Sequence, residues 1–311
     1  MESAIPDPDG TNLPDIVALP RMKRLILRAP AIPLSYLMDR LCLPKRTTLE
    51  LDMTIRTEPS IPVFQHALAR HYMSTSPPGE APEDPFRCLV IVQSAMLMCM
   101  LASPDGMPSY ITPPLEYQAL RTAYPLSIFV ESNFIPIFPW FYQHFTDAFS
   151  QSTQLAIDTL VLRIQGKDLL EAADCTWLSY PQISLKRIVL IGPVFEKFVV
   201  TFARHDATAN GAEPRAQPDR VRLPFLERLK VHSFDFLLLS GRAALTQLIA
   251  GLKRRAHAVP VCDDGIPKIC LELCCCDIED AQVEDLRAVS AVRLEWDGKT
   301  NGLEVSCATK T

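Results

Sequence analysis

The sequence has 311 residues, of which 48% are apolar and 22% are charged, and its formal net charge is −5. This balance is typical of a globular protein with one large domain or two small ones, and the acidic excess argues against a nucleic-acid-binding protein. The chain contains 27 Pro but only 11 Gly, and it has neither a Gly-x-Gly-x-x-Gly nor a Gly-x-x-x-x-Gly-Lys motif. We therefore expect no phosphate loop, no dinucleotide site and no cofactor.

The N-terminal residues and the cysteines indicate an intracellular protein. Residues 1–20 contain four acidic residues, four Pro and no basic residue, which is unlike a secretory signal. The longest apolar run, Cys88–Ala102, is shorter than the about 20 residues of a membrane-spanning helix, so it predicts buried core and no membrane segment. The ten Cys lack the spacing of a disulfide framework, so we expect reduced thiols.

Short stretches of two-residue alternation predict strands along the chain. Two segments, residues 19–27 and 223–231, share the pattern Leu-Pro-x-apolar-x-Arg-Leu-x-apolar. Similar segments without the Pro begin at Leu185 and Ile157. The other predicted strands are Leu49–Met53, a stretch near residue 89, Leu126–Val130, Ile269–Leu273 and Val292–Trp296.

Several segments between these strands have helical periodicity. Apolar stripes with i, i+3, i+4, i+7 spacing begin at Leu34, Phe195 and Leu245. Alternation of strand and helix favours parallel strands with crossover helices. Three insertions rich in Pro and polar residues predict loops near 74–85, 103–114 and 206–221. Without these loops the strand spacing approaches the roughly 20–29 residues of a leucine-rich repeat.

The fold class predicted from these elements is α/β, arranged as an irregular leucine-rich-repeat-like solenoid. A doubly wound sheet is the alternative, because local patterns do not distinguish the two. The expected organisation is a flexible N-terminal segment at 1–18, the solenoid at 19–298 and a C-terminal tail at 299–311. The N-terminal segment is too polar and Pro-rich to cap a repeat array, so we expect a further domain ahead of it.

One stretch near the C-terminus carries a family pattern. Residues 271–280 are Leu-Glu-Leu-Cys-Cys-Cys-Asp-Ile-Glu-Asp, followed by Val283 and Leu286. This resembles the cysteine-containing leucine-rich repeat, with one residue fewer between Cys276 and Ile278. The chain has Asn only at positions 12, 133, 210 and 301, so it cannot build the asparagine ladder of regular repeats. An irregular array is expected.

This stretch, the two Leu-Pro segments, the region of Leu245–Ala256 and the closing residues 292–298 together resemble the C-terminal part of the F-box proteins of basidiomycete fungi. The resemblance covers most of residues 19–298. It implies the substrate-recognition arm of a cullin-type ubiquitin ligase, whose protein partner is a ubiquitination substrate. The first repeat begins at Leu19 and leaves no room for the three helices of an F-box. Binding of the Skp-type linker protein is therefore expected only if an F-box lies upstream.

Cysteines and histidines are the candidate metal ligands. The set considered for zinc is Cys270, Cys274, Cys275 and Cys276, with His257 and Cys262. Cys270 and Cys274 lie on an alternating strand, and no second Cys knuckle follows. The same alternation predicts that Cys274 and Cys276 share one side of the strand. We predict buried structural thiols and no metal site.

No motif for covalent catalysis occurs. The sequence lacks Gly-x-Ser-x-Gly and His-Glu-x-x-His, and its six His are scattered at positions 66, 71, 144, 205, 232 and 257. The run Lys253-Arg254-Arg255 predicts a solvated helix end. We therefore predict a non-catalytic protein-recognition module without catalytic, cofactor-binding or metal-binding residues. The alternatives are a scaffold without a ligase role and an α/β enzyme with a Cys/His pair, whose titration would be shifted.

Overall fold

The computed structural model describes residues 16–44, 47–54, 67, 88–93, 97–103, 126–131, 158–164, 185–203, 223, 225–258, 269–290 and 292–298. The chain divides into two compact units, Met1–Ile157 and Asp158–Thr311. The second unit has a five-stranded parallel sheet with helices in the connections between its last four strands, so the α/β class predicted from the sequence is confirmed. The predicted loops 74–85 and 206–221 and the tail 299–311 lie outside the described residues. So do residues 1–15 of the N-terminal segment and all of the loop 103–114 except Ser103.

The first unit contains parallel and antiparallel strands. Its described elements are β1 (Val17–Ala18), β2 (Arg24–Pro30), α1 (Ala31–Arg40), β3 (Leu41–Cys42), β4 (Thr48–Thr54), β5 (Cys88–Gln93), β6 (Leu97–Ser103) and β7 (Leu126–Glu131). Strand β4 pairs in parallel with β2 and with β7, and β1 pairs in parallel with β3. Strand β6 runs antiparallel to both β5 and β7.

The apolar run Cys88–Ala102 therefore forms two strands of a hairpin, and the expectation of parallel strands throughout is wrong for β6. The physical reason is the length of the connection. Only three residues separate β5 from β6, whereas a parallel crossover needs about a dozen residues or more.

The second unit contains a parallel sheet of five strands, which are neighbours in chain order. They are β8 (Thr159–Ile164), β9 (Arg187–Ile191), β10 (Arg228–His232), β11 (Ile269–Cys274) and β12 (Val292–Trp296). Helix α2 (Val194–Ala203) follows β9, α3 (Leu239–Ala258) follows β10 and α4 (Asp280–Arg287) follows β11. No helix among the described residues combines the length and apolarity needed to cross a membrane.

One face of this sheet forms the core of the second unit. Register aligns Ile188, Leu229 and Leu271 on neighbouring strands, and all three are fully buried. Burial of each such side chain contributes about 1.5–3 kcal/mol relative to exposure. The stripe predicted on α2 is buried as well, and the Phe195 ring packs edge-on against Phe234 with centroids 4.7 Å apart.

Helix α3 is tied to the segment before β10 by Arg255. This side chain is 5% exposed and donates hydrogen bonds to the carbonyl oxygens of Leu223 and Leu226, at 2.6 and 3.0 Å. Lys253 and Arg254 are exposed as predicted, but the prediction of a solvated end is wrong for Arg255. Hydrogen bonds to the two carbonyls offset the cost of desolvating the guanidinium. The pattern of charges along the helix does not predict these hydrogen bonds.

A left-handed residue ends three successive strands. Gly192, Ser233 and Cys275 follow β9, β10 and β11, with φ of 75°, 54° and 51°. The preceding residues of these strands are aligned in register, so the three turns occupy equivalent positions. The N–H of Gly192 donates to the His232 carbonyl at 2.9 Å, and that of Ser233 to the Cys274 carbonyl at 3.0 Å. The same backbone turn thus repeats from strand to strand.

This turn corrects the side-chain directions predicted for the cysteines. Strand β11 ends at Cys274, and the left-handed Cys275 stops the alternation there. Cys274 lies opposite His232 and is half-buried, whereas Cys276 enters the core and is 1% exposed. The prediction that Cys274 and Cys276 share one side of a strand is wrong.

Candidate functional site

The five-stranded sheet of the second unit has its core on one face and charged side chains on the other, because alternate residues of a strand point to opposite sides. We call this surface the charged face and define it by Arg187, Arg228, Lys230, Glu272, Arg293 and Glu295. Towards β8 the same side of the sheet becomes apolar, and Val161 and Val189 are buried there. The charged face is therefore concentrated on β10, β11 and β12, with Arg187 at its border.

Ion pairs connect the strands of the charged face. Arg228 Nε lies 3.1 Å from Glu272 Oε1, and Lys230 Nζ lies 3.9 Å from Glu272 Oε2. On β12, Arg293 Nη2 lies 3.0 Å from Glu295 Oε1. The Arg293–Glu295 pair is exposed on both sides and contributes at most about 1 kcal/mol. The Glu272 side chain is only 17% exposed, so its two cationic partners also offset the desolvation of its carboxylate.

A pocket opens on this face, with a volume of about 370 Å³, and it is lined by Arg187, Glu227, Arg228, Cys270 and Arg293. Four of these residues form one row across the sheet, because register aligns Arg187 with Arg228, Arg228 with Cys270, and Cys270 with Arg293. The row therefore places arginines on both sides of a thiol.

Cys270 is the buried member of that row, at 6% exposure. Arg293 Nη2 donates to its Sγ at 3.4 Å. Burial raises the pKa of the Cys270 thiol, and the hydrogen bond from Arg293 opposes this effect. Because the net shift is upward, the thiol is neutral near pH 7. It contributes no negative charge to the pocket.

A Cys/His pair lies near the carboxyl ends of the strands, where parallel α/β sheets commonly place their sites. Register puts His232 of β10 opposite Cys274 of β11. His232 Nδ1 lies 2.6 Å from Ser233 Oγ, and the Cys275 N–H donates to Asp297 Oδ2 at 3.0 Å. This is the arrangement that the enzyme alternative requires in outline, and no sequence motif indicated it.

The titration of this pair favours its uncharged forms. Burial raises the pKa of the Cys274 thiol. Burial, followed by the positive charge of Lys230, lowers the pKa of His232. A nucleophilic cysteine needs a lowered pKa, because the thiolate is the reactive species. The geometry therefore presents a neutral thiol beside a neutral imidazole, which is poorly suited to nucleophilic catalysis.

The structure separates the cysteines considered as zinc ligands. Cys270 lies in the pocket, and the Cys276 thiol donates to the Val231 carbonyl at 3.5 Å in the core. Cys262 lies outside the described residues, as do His66, His71, His144 and His205; nothing is described of the His257 side chain. A different group, Cys270, Glu272 and Glu295, has ligand atoms within 4.8 Å of one another. Its carboxylates are already paired with Arg228, Lys230 and Arg293.

The members of the pocket are separated along the chain, and sequence reasoning did not group them. The available signal is the alternation of polar and apolar residues in β10 and β12, Arg-Leu-Lys-Val-His and Val-Arg-Leu-Glu-Trp. It identifies which residues face away from the core, but it does not say which residues of two strands lie opposite each other.

Comparisons with known proteins give no indication of function, so the functional argument rests on the geometry of the charged face and its pocket. No protein-family model matches the chain, and neither does any curated protein or any solved structure.

Proposed function

We propose that this chain is a non-catalytic protein-recognition module, built as an irregular leucine-rich-repeat-like solenoid, that binds a protein partner through the charged face. The observation that carries the proposal is the order of the strands in the second unit. Strands β8 to β12 are parallel neighbours in chain order, with an apolar core on one face and charges on the other. Right-handed crossovers that always step in one direction leave all helices on one side of a sheet.

The repeated turn supports the same proposal. A solenoid stacks one structural unit many times, so equivalent positions should share a backbone conformation. Gly192, Ser233 and Cys275 meet this requirement, although only Gly192 is a glycine. A left-handed conformation is uncommon for residues other than Gly. Its recurrence at aligned positions therefore favours a repeating unit over three unrelated turns.

The neutral titration of Cys274 and His232 supports recognition rather than covalent chemistry. The charged face, in contrast, has the composition of a surface that orients a protein partner, because complementary charges give specificity and a faster association. Within this proposal the partner is a ubiquitination substrate, and the protein acts inside the cell as the substrate-binding part of an F-box-type adaptor. The ligase connection rests on the resemblance of residues 19–298 to basidiomycete F-box proteins. The alternative is a scaffold that uses the same face without a ligase.

The use of the charged face is tested by reversing one of its charges. Lys230→Glu changes the face outside the pocket, and Lys253→Glu makes the same change on the exposed side of α3 as a matched control. Each variant is tagged at its C-terminus and expressed in the native cells, and the captured proteins are quantified by mass spectrometry. We expect at least one partner to be lost with Lys230→Glu and retained with Lys253→Glu. Equal capture by both variants would remove the charged face from the proposal.

The same capture experiment on the endogenous, tagged protein distinguishes the adaptor from the scaffold. Recovery of the Skp-type linker protein and a cullin together with the partner supports the adaptor. Capture of a partner without linker and cullin supports the scaffold and contradicts the ligase role. Unchanged melting temperatures of the purified variants are required, so that a loss of partner reports the surface and not the fold.

A further inference from the structure

The row of arginines in the pocket is an unusual arrangement for a sheet. Arg187 and Arg228 lie directly opposite each other on β9 and β10, on the same face. Like charges in directly opposed positions destabilise a pair of strands. Arg293 approaches the same pocket from the far side of Cys270. The lining thus carries three positive side chains and one negative one, Glu227, in a chain whose net charge is −5.

The three arginines differ in their partners. Arg228 is paired with Glu272 and Arg293 with Glu295, whereas Arg187 makes no ion pair with any residue that the structure describes. The acidic lining residue, Glu227, is paired with Lys186, and its Oε1 lies 3.8 Å from Lys186 Nζ. Arg187 is exposed to solvent. Its guanidinium therefore lines the pocket without an ion-pair partner among the described residues.

This chemistry suits one class of ligand. A guanidinium presents five N–H donors in a rigid fork that matches the oxygens of a carboxylate or a phosphate. We propose that the pocket of Arg187, Arg228, Cys270 and Arg293 binds an oxyanion, with Arg187 as its principal ligand. A bound oxyanion relieves the repulsion between Arg187 and Arg228. Among the described residues, Arg187 has no ion-pair partner that would otherwise reduce this repulsion. The buried thiol of Cys270 forms a neutral floor that adds no repulsion.

A metal ion fits the same pocket less well. The ligand atoms of Cys270, Glu272 and Glu295 are close together, but both carboxylates are neutralised by neighbouring cations. A divalent cation would lie among these arginines, and like charges in one site repel. The inference deepens the proposed function, since the oxyanion would belong to the partner. Its test, however, does not depend on knowing the partner.

Inorganic phosphate is the first probe, titrated into the full-length protein at pH 7.5 and constant ionic strength and followed by ³¹P NMR and calorimetry. We expect saturable binding to the wild-type protein and about tenfold weaker binding to Arg187→Gln, because a charge-assisted pair is lost. The matched control is Arg242→Gln, which removes another exposed arginine, on α3, that pairs with Glu279 at 3.0 Å. Its affinity for phosphate should equal that of the wild-type protein.

Succinate is the second probe, and it distinguishes the two sources of the oxyanion. The carboxylates of succinate stay largely ionised from pH 7.5 to 6.5, whereas inorganic phosphate takes up its second proton within this range and so loses charge. Phosphate binding that weakens over this range and exceeds succinate binding assigns the pocket to phosphorylated ligands. Succinate binding that is insensitive to pH and lost in Arg187→Gln assigns it to acidic side chains.

The inference is overturned if neither probe saturates, or if Arg187→Gln and Arg242→Gln bind a probe equally well. Either result leaves the recognition function standing, provided that Lys230→Glu still abolishes capture of the partner. The converse result is also distinguishable. If phosphate binding depends on Arg187 but Lys230→Glu and Lys253→Glu capture the partner equally well, the oxyanion pocket is supported and the recognition role of the wider charged face is contradicted.

Discussion

Cys274, Cys275 and Cys276 are consecutive in the chain, yet each thiol has a different environment. Cys274 lies on the charged face, Cys275 forms the left-handed turn and Cys276 is 1% exposed in the core. Burial raises the pKa of Cys276 to about 12, although hydrogen bonds to the carbonyls of neighbouring residues oppose the shift. A residue with this environment stabilises the fold only while its thiol is protonated.

The stability of the protein should consequently depend on pH in the alkaline range. Between pH 9 and 12 the unfolded chain loses the Cys276 proton while the folded chain keeps it, so the free energy of unfolding falls as the pH rises. The expected slope from this group is about 1.4 kcal/mol per pH unit. Urea unfolding of the reduced protein at several pH values measures it. Cys276→Ala should flatten the slope relative to wild type, and exposed Cys42→Ala should not; equal slopes for both variants would contradict the pKa shift.

At the same scale, the pocket illustrates which properties of a residue the local sequence predicts and which it does not. Arg228 and Arg293 stand at polar positions of alternating strands, so their exposure follows from the sequence. Their position beside Cys270 depends on the register of three strands, which is set by core packing and turns between segments far apart in the chain. The Cys/His pair escaped prediction for the same reason.

At the scale of elements, strands were predicted more closely than helices. The expected strand Val292–Trp296 is β12 as observed, and Ile269–Leu273 differs from β11 by one residue. Helix α3 extends well beyond the stripe that begins at Leu245, because its ends are held by tertiary contacts and not by apolar periodicity. Helix α4 was missed because it is short and polar and depends on a capping box between Glu279 and Gln282.

The start of helix α3 illustrates such a tertiary contact. A Cβ added at Gly241 would lie 2.1 Å from the Asp235 carbonyl oxygen and 2.8 Å from the Phe236 Cα. Both atoms belong to the backbone of the loop that connects β10 to α3, so neither can move away as a flexible side chain would. The loop itself is paired with the segment after β11, because the Phe236 N–H donates to the Asp277 carbonyl and the Asp277 N–H donates to the Phe234 carbonyl.

Gly241→Ala should therefore destabilise the protein, although Ala is the better helix former by about 1 kcal/mol. We expect the overpacked backbone to lower the free energy of unfolding by about 1–3 kcal/mol in total. Ser240→Ala, at the neighbouring exposed position, is the control for helix propensity and should leave stability almost unchanged. Urea unfolding monitored by circular dichroism measures both variants. A Gly241→Ala protein as stable as wild type would show that α3 does not approach the loop this closely.

At the scale of the whole molecule, the proposed solenoid and a doubly wound sheet differ in how stability is distributed. In a solenoid each repeat contacts only its neighbours, so a local defect weakens nearby repeats most. In a single cooperative domain the same defect lowers the protection of every core strand equally, because the core unfolds as one unit. Local sequence patterns did not separate these folds, since both alternate strands with helices. The distribution of stability along the chain does separate them.

Arg255→Ala provides the defect needed for that comparison. Removing the guanidinium takes the side-chain donor away from the Leu226 carbonyl and leaves the Leu223 carbonyl with only the N–H of Leu226, so we expect the second unit to lose about 2–3 kcal/mol of stability. Hydrogen exchange measured by mass spectrometry should show the largest loss of protection in β10 and α3, a smaller loss in β8, and none in β2. Lys253→Ala, an exposed change on the same helix, should alter none of these segments. An equal loss of hydrogen-exchange protection in every strand from β2 to β12 would exclude nearest-neighbour stacking, and with it the solenoid. It would show that all of these strands unfold together as one cooperative unit.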